Sequence, residues 1–179
     1  MTQVGHILTG IAIGTVFIPE KKEPRWRFIF FFIFSLLALI PDFRIKYWGH
    51  HRYFISHSIF INMIGILVVT LFLFSQKELF TKLGGWKVLL GGSLAWVSHL
   101  LLDTFYNHGK GLAMFWPFSD ARLALPISWF SVVKNLPRPI TWELIRILLI
   151  ELAFYGTLLL VVIILKRTKI MQRIALRIF

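Results

Sequence analysis

Cysteine is absent from all 179 residues, and that absence closes off several chemistries at once. A disulfide framework, a thiolate metal site and a thiol nucleophile are all excluded, so any metal must be held by histidine or carboxylate. Acidic residues are scarce as well: 8 Asp and Glu stand against 20 Lys and Arg, a formal net charge of +12. Such a surplus raises the question of nucleic acid. The basic residues, however, lie between and after apolar runs, and no basic soluble domain is there to form a groove. Nucleic acid is therefore not an expected partner, and membrane topology with anionic lipid headgroups explains the charge better. The first apolar run, VGHILTGIAIGTVFI, also lacks the basic n-region and small-residue cleavage pattern of a signal peptide.

What the chain has in quantity is apolar surface. Hydrophobic residues make up 57% of it and the mean hydropathy is +0.73, far above a soluble domain of this size. The expected fold is all-α, a polytopic membrane helical bundle, with apolar runs at about 4–18, 26–40, 57–74, 86–105 and 142–165. A crossing needs about 20 residues for a hydrocarbon core of roughly 30 Å. The last three runs meet that directly, while the first two are short and tilt little, sink into the bundle or span only in part. One integral-membrane domain, residues 1–165, is expected, followed by a basic amphipathic tail, residues 166–179, KRTKIMQRIALRIF. The positive-inside rule puts that tail in the cytoplasm of a plasma (inner) membrane protein. With about five transmembrane helices, the EKKEPRWR and QKELFTKLGGWK loops are then cytoplasmic. The N-terminus, the PDFRIKYWGHHRYF loop and the long segment 106–141 face outward.

This layout sorts the chemistry. All six histidines and all three aspartates fall at outer helix ends or in outer loops. In SHLLLDTF, His99 and Asp103 are four residues apart and share a helix face, and ionisable groups near a bilayer are expensive unless paired, wet or functional. Asp42 closes the second run in ALIPDF, where Pro41 marks its end. His57 opens the third in ISHSIF, and His6 sits near the start of the first. Four helix ends on one side each offer a His or Asp, which is how a helical bundle builds a metal site from facing side chains.

Each residue also has a plainer role open to it. His99 and Asp103 make a helix-end hydrogen bond, Asp42 a turn residue and His6 a buried polar group. His57 is also a polar group at a helix start, with Ser56 as its N-cap. His51, next to His50 in WGHHRYF, is either a ligand, a supporting group or an interfacial residue, and His108 in TFYNHG is a loop histidine or a ligand. Arg52 fits a bidentate phosphate clamp or a snorkelling interfacial arginine, and Lys110 is a weaker candidate of the same kind.

These motifs together, HxxxG at His6, PD at Asp42, HHR and SHS at residues 51–58, and HLLLDTFYNHGKGLAMFWPFSDARLALP, resemble the YdjM-like family of membrane-bound metal-dependent hydrolases. Arg44 stands where that family often has a second acid, and the HR to HS spacing is one residue longer. The order His, Asp, His, HxxxD is also similar to that of the zinc-dependent phospholipase C and P1 nuclease group. That likeness implies one ion held by Asp42, His57, His99 and Asp103, and a second held by His6 and a bridging Asp103. His99 and Asp103 would then carry the catalysis with Arg52 on the phosphate, while His51 and His108 are further metal ligands. The implied cofactor is one or two divalent ions, most simply Zn²⁺, with Mn²⁺ or Fe²⁺ fitting the same donors.

The segment 109–141 is rich in glycine, proline and aromatics, including Phe115, Trp116, Phe118, Trp129 and Phe130, which suits a cover lying at the headgroup interface. The expected function is a membrane-embedded metal-dependent hydrolase, a phosphoesterase acting on a membrane lipid or lipid-linked phosphoester. Two other classes stay open: a metal-ion or proton transporter, and a non-enzymatic scaffold whose metal clamps helix ends.

Overall fold

The computed structural model describes residues 2–20, 22–43, 55–106, 111–131 and 140–168. They form an all-helical bundle, as expected: α1 (Gln3–Phe17), α2 (Pro24–Leu37), α3 (Ile59–Ser75), α4 (Lys77–Leu83), α5 (Gly85–Thr104) and α6 (Trp142–Arg167), with a single 3-10 turn, Ile40–Asp42, after α2. Helix starts are written in the sequence. Thr2, Ser58 and Thr141 cap α1, α3 and α6 through their hydroxyls, and Pro24 opens α2, where its missing N–H costs nothing. Ser58, rather than Ser56, is the cap of α3, because the hydroxyl must reach back to the first turn and the Ser58 side chain accepts from Ile61 N.

The short α1 is the centre of the bundle, packed against α2, α5 and α6. Its buried residues are Gly5, His6, Thr9, Gly10, Ala12, Gly14 and Thr15, and these small side chains let neighbours approach to backbone contact. A Cβ on Gly10 would lie 2.6 Å from the Phe34 carbonyl oxygen of α2. On the other side, a Cβ on Gly91 of α5 would lie 2.5 Å from the Phe17 ring and Cβ. Around these contacts Ile18, Phe30, Phe34 and Ala95 form a core shared by α1, α2 and α5. A second cluster, Tyr106, Phe130 and Tyr155, joins the end of α5 to α6. Phe130, read from the sequence as an interfacial aromatic, is thus a core residue, stacked on Tyr106 with ring centroids 4.8 Å apart.

Length and composition decide which helices match a bilayer. The 26 residues of α6 form one helix long and apolar enough to cross a membrane, and α3 with α4 makes a second only if the pair, bent by 109°, is one broken span. The other runs fall short for separate reasons. α1 and α2 have 15 and 14 residues, about 21–23 Å at 1.5 Å per residue, and α5 is diluted by Lys87, two serines, three glycines, His99 and Asp103. The last helix also runs past its expected end at Leu165. Lys166 and Arg167 are the last turn of α6, and residues 169–179 lie outside the described residues.

Candidate metal centre

α1 and α3 begin, and α2 and α5 finish, at the same end of the bundle, so their terminal residues meet. Pro41 cannot continue α2, and the chain turns tightly enough to lay Asp42 beside α5, its amide donating to the Leu39 carbonyl over 3.0 Å. His57 precedes the α3 cap on a turn held by Asn62, whose amide nitrogen donates to the carbonyls of Ser56 (2.9 Å) and Ser58 (2.7 Å). Trp96 of α5 donates in turn to Asn62 Oδ1 over 2.6 Å, which ties α3 to α5. His99 and Asp103 stand one turn apart on α5, both buried. His6 lies one turn into α1, fully buried.

The four donors of Asp42, His57, His99 and Asp103 all lie within 4.8 Å of one another and can hold a metal ion. His57 Nε2 and His99 Nε2 are 3.4 Å apart. Asp103 Oδ2 is 3.5 Å from each of them, and Asp42 Oδ1 is 3.8 Å from His57 and 3.6 Å from His99. Zinc bonds of about 2.0–2.1 Å in a tetrahedron set neighbouring ligands roughly 3.3 Å apart. The observed separations are close to such edges, slightly open.

Protons follow from the partners. His99 Nδ1 is 2.8 Å from the Ala38 carbonyl, which can only accept, so Nδ1 carries hydrogen and Nε2 is the atom left for the cluster. His57 Nδ1 is 2.9 Å from Ser56 Oγ, which orients that ring the same way. Burial holds His57 below its ordinary pKa, so it is neutral at pH 7, the form in which imidazole coordinates. Two facing imidazole nitrogens and two carboxylates offer almost only lone pairs. A divalent cation serves all of them at once, which is the test a metal centre must pass.

His6 completes the arrangement. Its ring stacks on His99 at a centroid distance of 3.7 Å and 8° between planes, and its Nε2 is 3.2 Å from Asp103 Oδ1. Neither of its ring nitrogens makes a well-formed hydrogen bond among the described residues. Asp103 therefore turns Oδ2 to His57 and His99, and Oδ1 to His6.

Five of the residues singled out in the sequence, His6, Asp42, His57, His99 and Asp103, are thus brought together. His51, Arg52 and His108, with His50 and Lys110, lie outside the described residues. Sequence reading missed the supports: the Ala38 carbonyl, which leaves no signal in a sequence, and Asn62, a lone amide in an apolar run that was visible. The segment 111–131 bridges the helix ends carrying His57 and Asp103. The Ser58 hydroxyl donates to the Trp116 carbonyl and Ile59 N to Met114 O, while Leu125 N and Ile127 N donate to Thr104 O and Phe105 O at 2.8 and 2.9 Å. Phe118 and Trp129 point outward, 79% and 75% exposed.

No solved structure matches this chain. "Inner membrane protein YbcI" of Escherichia coli (strain K12) is 28% identical over 137 residues, covering 72% of this chain and 70% of that protein. The profile of the family described as "YdjM inner membrane protein" matches residues 1–172, which takes in all five clustered residues and every described helix. The chain belongs to the YdjM inner membrane protein family.

Proposed function

We propose that this protein is a membrane-embedded, metal-dependent hydrolase, a phosphoesterase of the phospholipase C kind acting on a lipid or lipid-linked phosphoester. The observation that carries the reading is the buried meeting of His57, His99, Asp42 and Asp103, two ring nitrogens 3.4 Å apart between two carboxylates. Zn²⁺ suits a nitrogen and oxygen set without sulfur, and Mn²⁺ or Fe²⁺ shares those preferences. A divalent ion held there would supply Lewis acidity at neutral pH for hydrolysis of a phosphoester. The chain's own residues do the rest. Asp103, facing His6 with one oxygen and His57 and His99 with the other, would hold the ion together with them, and with His6 would hold a second were one bound. Asp42 has the most exposed side chain of the four and marks the side from which a phosphate enters. Arg52 is the proposed clamp for that phosphate.

The same reading includes a multi-pass topology with the site on the outer side and the C-terminus inside. Its support is the alternation of helix directions about the site and the apolar residues turned outward, among them Phe28, Phe32, Leu67, Leu71, Leu94, Leu152 and Leu160. Helices of 14 and 15 residues are accommodated by local thinning of the bilayer. Exposed Phe118 and Trp129 on the covering segment suit the headgroup layer, which favours a substrate arriving from the lipid.

One observation favours a second reading, a metal that only fastens helix ends. Four protein donors fill a tetrahedron, and structural zinc sites are closed whereas catalytic ones keep a position open. Metal analysis of the detergent-purified protein beside Asp103→Ala, followed by phosphate-ester and phospholipid hydrolysis with and without chelator, separates the two. The hydrolase reading expects bound transition metal, lost in the variant, and chelator-sensitive turnover. Bound metal without turnover on any phosphoester would leave the structural ion, and no metal would end both readings.

A further inference from the structure

His6 is the one member of the cluster carried by α1. That helix meets α2 and α5 over Gly10, Ala12 and Gly14, with Phe34 and Phe31 of α2 beside Gly14 and its own Phe17 against Gly91 of α5. It carries no acidic residue in its first turn and no basic residue in its last. Both charges come instead from α6. Glu151, buried in the middle of that helix, accepts from the backbone nitrogen of Thr2 at 2.8 Å and from the Thr2 hydroxyl, at the positive end of α1. Lys166 donates to the Thr15 carbonyl and to the Ile18 carbonyl at 3.2 Å, at the negative end. Each charge complements the helix dipole it touches and satisfies backbone groups that a helix end leaves without partners.

The spacing matches as well. α1 is 15 residues long, and Glu151 and Lys166 stand the same number of residues apart on α6. The two helices run side by side in the same direction, α6 gripping α1 at both ends.

We infer that Glu151 and Lys166 are positioning residues that clamp α1 along its axis and thereby hold His6, one turn beyond Thr2, on the ion that Asp103 shares. The inference rests on the metal-centre reading. A shift of about an ångström along α1 would part His6 Nε2 from Asp103 Oδ1, now 3.2 Å apart, while leaving Asp42, His57 and His99 where they are.

The test is Zn²⁺ affinity of the full-length protein in detergent, by competition with a chelator, for wild type, His6→Ala, Glu151→Ala and the double variant. Supporting groups around metal ligands typically contribute 10- to 100-fold in affinity. Glu151→Ala should weaken the ion bound by His6 by about that factor, and the double variant should be no weaker than His6→Ala alone, because both act on one contact. Glu151→Gln should retain part of the affinity. Lys166→Met, which leaves the outer end untouched, should weaken the same ion, and Lys166→Arg should restore it, a rescue that general destabilisation would not give. Additive losses in the double variant, or unchanged affinity in both Glu151→Ala and Lys166→Met, overturn the clamp while leaving the metal centre in place. A wild type that binds no Zn²⁺ overturns both.

Discussion

Helices α1 and α3 make a natural pair. Each is apolar, each begins at the His/Asp cluster, and each brings one histidine there, His6 within α1 and His57 just ahead of α3. Yet α1 buries seven residues and α3 only Asn62. The difference lies in side-chain size rather than hydrophobicity. Lipid is as apolar as leucine, so greasy surface gives a helix no reason to enter a membrane bundle. α1, with Gly5, Gly10, Ala12 and Gly14, enters because backbones can touch it. α3, built mostly of Ile, Leu, Val and Phe, keeps those side chains outward and is tied on by the Asn62 amide, by Gly65 against Trp96, and by Ser58 and Ile59 to the segment 111–131.

The comparison breaks most sharply at Gly10. A leucine there would drive its Cβ to 2.6 Å from the Phe34 carbonyl, and a backbone atom cannot swing aside. Gly10→Leu should cost about 3 kcal/mol, the upper part of the overpacking range, and should release the metal; unfolding in detergent with metal analysis of the same samples measures both. The two histidines should differ next. His57→Ala removes a donor from the four-residue set and should lower metal affinity by more than about 100-fold, beyond what a supporting group contributes, whereas His6→Ala should cost one ion and spare the other. Metal per protein, determined for the two variants together, tells them apart, and equal losses would mean a single ion shared by all five residues.

Asn62→Leu sharpens the α3 side. It strands the Trp96 N–H and frees the turn that carries His57, so metal affinity should fall by about 10- to 100-fold, while the fold loses only on the order of 0.6 kcal/mol for each interhelical bond. Trp96 fluorescence and a metal titration follow the two effects separately. The smallest effect belongs to the exposed apolar side of the same helix. Leu67, 55% exposed, should tolerate Ala within about 0.5 kcal/mol, with metal content unchanged. A large loss there would show that the face has a protein partner rather than lipid.

Much of the site was legible before the fold was known. HxxxD on one helix and a His or Asp at three other helix ends name His6, Asp42, His57, His99 and Asp103, because spacing puts such residues on one face and topology puts those faces at one end. Their supports were less legible. The Ala38 carbonyl that orients His99 belongs to a residue with no functional side chain, and Ser56, read as a helix cap, is instead a partner of the His57 ring. Glu151 is a lone carboxylate within the last apolar run, and nothing local says that its partner is Thr2, 149 positions away.

The sequence by itself determined the helical class, the apolar character and the chemistry of the site, since periodicity, hydropathy and donor type are properties of residues and their near neighbours. Only the tertiary structure decided which helix lies at the centre, which carboxylate oxygen faces which imidazole, and that α6 holds both ends of α1. Those depend on how closely two backbones can approach, and that distance is set jointly by side chains far apart in the chain.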